Sequence, residues 1–119
     1  MDPRPDDFLP LTPGFFEILL TLAEGDAHGY AIMQAVARRT GGRIKLLPGT
    51  VYRAFHRLGE LGLIEEAETR PAPDVDDERR RYYRLTPLGR RVAAAEAERL
   101  AASLRFAARA HLLPGEPGD

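Results

Sequence analysis

The sequence predicts a mainly α-helical fold with one small β-hairpin, and three observations carry that expectation. Two Thr-Pro pairs, Thr12-Pro13 and Thr86-Pro87, stand just before runs in which apolar residues recur at helical spacing. Gly25-Asp26, Gly41-Gly42 and Gly62 cut the intervening chain into helix-sized pieces. Two strand-like stretches, 63–69 and 80–86, flank a polar segment, Pro71 to Glu78, that holds two prolines and four acids.

Taken in order, Met1 to Pro10 carries three prolines and three aspartates and is expected to form a flexible arm over residues 1–10. Thr12 offers an oxygen to free N–H groups and Pro13 has no N–H to lose, so a first helix is expected from about Pro13 to Glu24. Phe15, Ile18, Leu19 and Leu22 form its apolar face. A second helix is expected from about His28 to Arg39, on the stripe Tyr30, Met33, Val36 and Ala37, with His28 structural at its start. Gly41-Gly42 ends it, since left-handed C-terminal positions favour glycine. Arg43 to Leu47 reads as a short strand and Pro48-Gly49 as a turn. A third helix then starts near Thr50, with Val51, Phe55, Leu58 and Leu61 apolar, and Gly62 closes it. The hairpin follows. After Thr86 a last helix runs to about Leu113, rich in the good helix formers Ala, Glu, Arg and Leu.

Helices followed by a hairpin describe a winged helix-turn-helix, in which the third helix is placed to enter the DNA major groove and the hairpin forms the wing. The DNA-binding domain is expected over 11–86, a dimerisation helix over 87–113, and a flexible tail over 114–119.

Apolar residues make up 44% of the 119, enough for one small globular domain with one added element. The chain has no cysteine, which excludes a disulfide framework, a thiolate zinc site and a Cys nucleophile and fits a reducing cytoplasm. His28, His56 and His111 lie in separate expected helices with no metal-ligand spacing, and Ser103 is the one serine. With no Gly-rich phosphate loop either, no catalytic site, metal or cofactor is expected. The acidic, Pro-rich N-terminus does not read as a signal peptide. No apolar run approaches the roughly 20 residues of a membrane helix, so no membrane partner is expected.

The formal net charge of −1 conceals a segregation. Between Ala27 and Gly59 there is no acid, while Arg38, Arg39, Arg43, Lys45, Arg53 and Arg57 all fall there. Glu60, Glu65, Glu66, Glu68 and Asp74 to Glu78 then form an acidic block, followed by Arg79, Arg80, Arg81, Arg84, Arg90 and Arg91. A polyanion binder needs a local basic face rather than a basic average.

Burying Val51, Phe55 and Leu58 turns Thr50, Arg53, Ala54 and Arg57 outward, with Tyr52 and His56 at the flanks. Arg53 and Arg57 sit one turn apart on one face. Arg pairs bidentately with guanine or grips phosphate, Thr and Tyr reach phosphates or bases, and Ala54 can touch a thymine methyl. Thr50, Tyr52, Arg53 and Arg57 are therefore expected in the groove, with Arg38, Lys45, Arg79 and Arg80 on phosphates. Tyr82 and Tyr83 point to opposite faces of their strand, one into the core and the other toward phosphate. The acidic tip, Asp74 to Glu78, pairs with the neighbouring arginines, stays clear of the groove, or weakens non-specific binding; the sequence leaves these open.

The last helix, roughly 26 residues and about 39 Å, is longer than its own domain can cover. Its stripe is Leu88, Val92, Ala95 or Ala97, Leu100, Leu104, Ala108 and Leu112. A long amphipathic helix without a local partner is expected to join a second copy, through Leu88, Val92, Leu100, Leu104 and Leu112.

Four motifs occur in order: His28-Gly29-Tyr30-x-Ile32, Pro48-Gly49-Thr50-Val51-Tyr52, Arg57-Leu58-x-x-x-Gly62-Leu63-Ile64, and Arg81-Tyr82-Tyr83-x-Leu85-Thr86-x-x-Gly89. Together they resemble the PadR family of bacterial transcriptional regulators, over about Leu11 to Gly89, and the single C-terminal helix resembles its compact subfamily. The resemblance implies a homodimeric winged helix that binds an inverted repeat in a promoter, usually as a repressor, and is often released by a small molecule. Relatives that bind drugs use a tryptophan on the last helix; this chain has no Trp, and Phe106 is the one aromatic there and the candidate effector platform. Where the family often has a Ser before the recognition helix, Leu47-Pro48 stands here, so the cap is expected from Thr50 or the turn. The rival reading is a winged-helix protein-interaction module without specific DNA binding. Acids spread across the third helix would favour it, and none lies between Thr50 and Gly59.

Overall fold

The computed structural model describes residues 3–67 and 81–114. Its elements are α1 (Pro13–Glu24), β1 (Ala27–His28), α2 (Gly29–Arg39), α3 (Pro48–Glu60), β2 (Ile64–Glu66), β3 (Tyr82–Leu85) and α4 (Pro87–Arg109), preceded by a short 3-10 helix, Pro5–Phe8. The three strands form an antiparallel sheet in the order β1-β3-β2. Ile64 lies opposite Leu85 and Glu66 opposite Tyr83, while Ala27 pairs with Tyr83 and His28 with Tyr82. The architecture is a winged helix-turn-helix with a long helix running out of the wing. The rest of the wing, with the expected strand ends and acidic tip, lies outside the described residues.

Local chemistry sets the helix starts. Thr12 Oγ1 accepts the Phe15 N–H at 3.1 Å and Thr86 Oγ1 accepts the Gly89 N–H at 2.9 Å, so both Thr-Pro pairs cap as expected. His28 caps α2 with its ring, Nδ1 accepting the Ala31 N–H at 3.1 Å. At α3 the expectation needs correcting. The helix begins two residues before Thr50, its N-cap is Leu47, and no side chain caps it. Thr50 lies inside the first turn, where its hydroxyl cannot reach back to the cap position.

The expected strand at 43–47 does not form. Gly41 and Gly42 take φ of 62° and 80°, and Thr40 Oγ1 accepts the Ile44 N–H at 3.1 Å, which folds the segment into a turn. The third strand is instead Ala27–His28, held to Tyr82 and Tyr83 by the sheet. Two residues carry too little periodicity to be read from sequence.

One core joins all the helices. Ile18, Leu19, Leu22, Ile32, Val36, Val51, Phe55, Leu58, Leu63 and Val92 are buried in it. Leu88 packs against this core and Val92 is fully inside it. Val92, expected at a dimer interface, is corrected to an intramolecular contact, while Leu88 stays half-buried: the first turns of α4 cover α1 and the sheet of their own chain. Within the expected N-terminal arm, Phe8 and Leu9 also pack against the core.

Two polar devices hold the ends of this arrangement. Thr86 donates its N–H to the Leu63 carbonyl at 3.1 Å and its hydroxyl to the Gly62 carbonyl at 2.6 Å. Gly89 passes so close to the same turn that an added Cβ would sit 1.9 Å from the Leu63 carbonyl oxygen. The second device is Glu96, a buried acid (1% exposed). It accepts the Leu11 N–H at 2.8 Å and pairs with the Arg99 guanidinium one turn on, at 3.1 Å for one of the two contacts. Sequence reasoning missed it. The available signal was an acid on the four-residue stripe Leu88, Val92, Glu96, Leu100.

The Arg99 hydrogen bond, more than the opposing burial, holds the Glu96 carboxyl below the usual carboxylate range, and the Leu11 N–H adds to it. Its contribution to stability is therefore present above the ordinary carboxylate range and is lost as pH falls through the lowered folded value. Glu96→Gln is expected to cost about 1–3 kcal/mol near neutral pH and progressively less in acid, read from urea unfolding at pH 7 and below pH 4. Gly89→Ala is expected to cost about 2–3 kcal/mol or to prevent folding, because the obstructing atom is backbone, and a thermal melt beside wild type checks it.

Candidate nucleic-acid interface

The interface is built on α3. Val51, Ala54, Phe55 and Leu58 are buried, so the helix is pinned along one side. Ala54, expected outward, is only 6% exposed and is corrected to a core residue. Thr50, Tyr52, Arg53, His56 and Arg57 stand on the exposed side. Leu47, just before the helix, is exposed as well.

Arg53 rests its guanidinium 3.5 Å from Thr50 Oγ1 and has no carboxylate within ion-pair distance among the described residues. Arg57 lies 3.6 Å from Glu60, and His56 lies 3.5 Å from the same carboxylate. Both pairs are well exposed, so water and salt screen them and they leave Arg57 available to a stronger anion. The first acid after the acid-free stretch thus reaches back onto the last turn of the helix. The unpaired first-turn amides add positive potential at the N-terminal end of α3.

An aromatic cluster holds α3 to its neighbours. Tyr83 lies tilted against Phe55 with ring centroids 4.2 Å apart, and Tyr52 meets Phe55 edge-on at 5.9 Å. Tyr82 meets His28 edge-on at 5.1 Å. The Gly29 backbone lies beside this cluster, and a Cβ there would make ordinary contact with the Tyr52 hydroxyl at 3.4 Å and the Phe55 ring at 3.5 Å. Tyr82 is the buried one of the pair and Tyr83 is half-buried, with its ring against Phe55. Burial, with the charge of Glu66 second, pushes the Tyr83 phenol above its ordinary value, so it stays protonated.

Arg38 on α2 and Lys45 in the turn before α3 are exposed. Arg79 and Arg80 lie outside the described residues. On α4, Leu100 is half-buried, while Leu104 and Phe106 are exposed at 55% and 67%, as is Leu112 beyond its end at 74%. The helix ends at Arg109 rather than near Leu113, where His111 takes a left-handed φ of 62°. The Arg109 guanidinium lies 4.5 Å over the Phe106 ring. Among the described residues no His, Asp and Glu cluster could hold a metal, and no helix is long and apolar enough to cross a membrane.

An anchored helix with a basic outer face, beside a three-stranded wing, defines the winged helix-turn-helix regulators as a class. Residues 18–95 match the PadR-like family of transcriptional regulators, and the chain belongs to that family. It is similar to a transcriptional regulator from Clostridium thermocellum, with 28% identity and a TM-score of 0.65, covering 80% of this chain and 86% of that one. It is 40% identical over 73 residues to the transcriptional regulator Rv3488 of Mycobacterium tuberculosis, covering 61% of this chain and 62% of that protein. It is 36% identical over 74 residues to an uncharacterised protein X of Lysinibacillus sphaericus, covering 61% of this chain and 64% of that one. The chain therefore spans under two thirds of the length of these two curated relatives.

Proposed function

We propose that the chain is a cytoplasmic, sequence-specific DNA-binding regulator that works as a homodimer, represses from an inverted-repeat promoter operator and is not an enzyme. The observation that carries this reading is the two-sided character of α3, whose inner residues are locked in the core while Thr50, Tyr52, Arg53 and Arg57 stand outside. Membership of a family of transcriptional regulators supports it. Thr50, Tyr52, Arg53 and Arg57 enter the major groove, and Arg38, Lys45, Arg79 and Arg80 meet phosphates.

Two copies join through the outer half of α4 and the residues just after it. Leu100, Leu104 and Leu112 supply the apolar contacts, and Phe106 is the platform for a small-molecule effector. Double-stranded DNA and a second copy are the partners, and no membrane or cofactor is involved. Half-sites then lie about one helical turn, roughly 34–36 Å, apart.

Fluorescence anisotropy against the DNA upstream of the chain's own gene, beside a scrambled duplex, tests the reading. Arg53→Ala and Arg57→Ala are each expected to weaken specific binding by about 1–3 kcal/mol, and binding is expected to fall steeply with salt. Wild-type affinity in both variants would sink the groove assignment, and no binding to either duplex would favour the protein-interaction module. Leu104→Glu is expected to shift the protein from dimer to monomer in sedimentation velocity while its circular dichroism is kept; an unchanged dimer would place the interface elsewhere.

A further inference from the structure

The segment that leads into α3 turns two neighbouring leucines in opposite directions. Leu46 packs against the core, with its Cδ2 3.5 Å from the position a Cβ would take at Gly14 in α1. Leu47, the N-cap residue of α3, stands 65% exposed. Pro48, Gly49 and Thr50 after it are exposed too, so the entry to the helix lies open. We propose that Leu47 is a specificity residue that covers the 5-methyl group of a thymine in the major groove. This deepens, and rests on, the reading of the chain as a DNA-binding regulator.

A single exposed leucine is ordinary on a protein surface, so exposure alone assigns nothing. The place of Leu47 does. In helix-turn-helix regulators the N-terminal residues of the recognition helix contact base edges. Leu47 stands at that end of α3, just before Thr50 and Arg53. The cap gives a second reason. Thr12, His28 and Thr86 cap α1, α2 and α4 with side-chain atoms, while α3 has no such bond. Of the four α-helices described, α3 alone carries a bulky aliphatic residue at its cap, which costs helix stability relative to a polar one.

A third reason is what the rest of the face lacks. Thr50, Tyr52, Arg53, His56 and Arg57 offer hydrogen bonds or charge, and Ala54, the residue expected to meet a thymine methyl, is buried. Among the described residues, the other large aliphatic side chains more than half exposed are Leu104 and Leu112, on the far helix and just past its end. Thymine carries a methyl group in the major groove, whereas guanine, adenine and cytosine present hydrogen-bonding groups without one. Covering that methyl with Leu47 removes apolar surface from water on both partners. A phosphate would offer this side chain nothing.

The test begins with the full chain selecting duplexes from a random pool. Each thymine of the enriched site is then replaced in turn by uracil, which removes one methyl and leaves every hydrogen-bonding group in place. Wild type is expected to lose affinity roughly threefold to tenfold at one thymine in each half-site, as burial of a single methyl implies. Leu47→Ser and Leu47→Ala are expected to bind the thymine and uracil duplexes equally at that position. Both variants should keep the wild-type circular dichroism, since the side chain lies outside the core and serine can cap the helix. If no uracil substitution weakens wild type, or if both variants lose the same factor as wild type, Leu47 does not read a methyl. A pool that yields no enriched sequence refutes the regulator reading and the contact with it, whereas an enriched site without methyl dependence refutes the contact alone.

Discussion

The turn that closes α3 is the constraint on which the other elements depend. Gly62 and Leu63 offer their carbonyls to Thr86, and the Leu63 carbonyl faces Gly89 at a distance no side chain could share. That contact fixes the end of α3, the start of β2, the end of β3 and the first turn of α4 at one point. The free choice left to the chain is small: the direction of α4 is set relative to α3, and Leu63 and Val92 enter the same core. Two glycines serve this junction for different reasons. Gly62 takes a φ of 78°, and Gly89 yields space.

From that junction the molecule is polarised. On one side, the rings of Phe55, Tyr52 and Tyr83 hold α3 against the sheet. This packing consumes the aromatic residues and leaves the charged ones outside. A basic helix face that were loosely held would lose much of its binding energy to ordering. Here the inner residues have met that cost in folding.

On the other side, α4 divides its length between two tasks. Its first turns complete the core, and beyond Leu100 its large side chains lie in water. Glu96 stands at the border, tying Leu11 and Arg99 to the same carboxylate. An acid is tolerated there because both of its oxygens are answered, one by a backbone N–H and both by a guanidinium. This bond also holds the chain entering α1 against α4.

Much of this was legible in the sequence. The two Thr-Pro caps, the limits of α1, the glycine stops and the buried row Val51, Phe55 and Leu58 follow from capping chemistry and helical spacing, which are local. So does the exposure of Arg53 and Arg57. What the sequence left undetermined depends on residues far apart in the chain. Ala54 faces inward because it belongs to the shared core, and β1 exists because β3 offers it an edge. Val92 belongs to its own core because the turn at Leu63 aims α4 back over α1. Glu96 is buried because Leu11, 85 residues earlier, brings its N–H there. Periodicity states which face of a helix is apolar. Only the tertiary structure decides what covers that face, because covering is set by where the other elements are anchored.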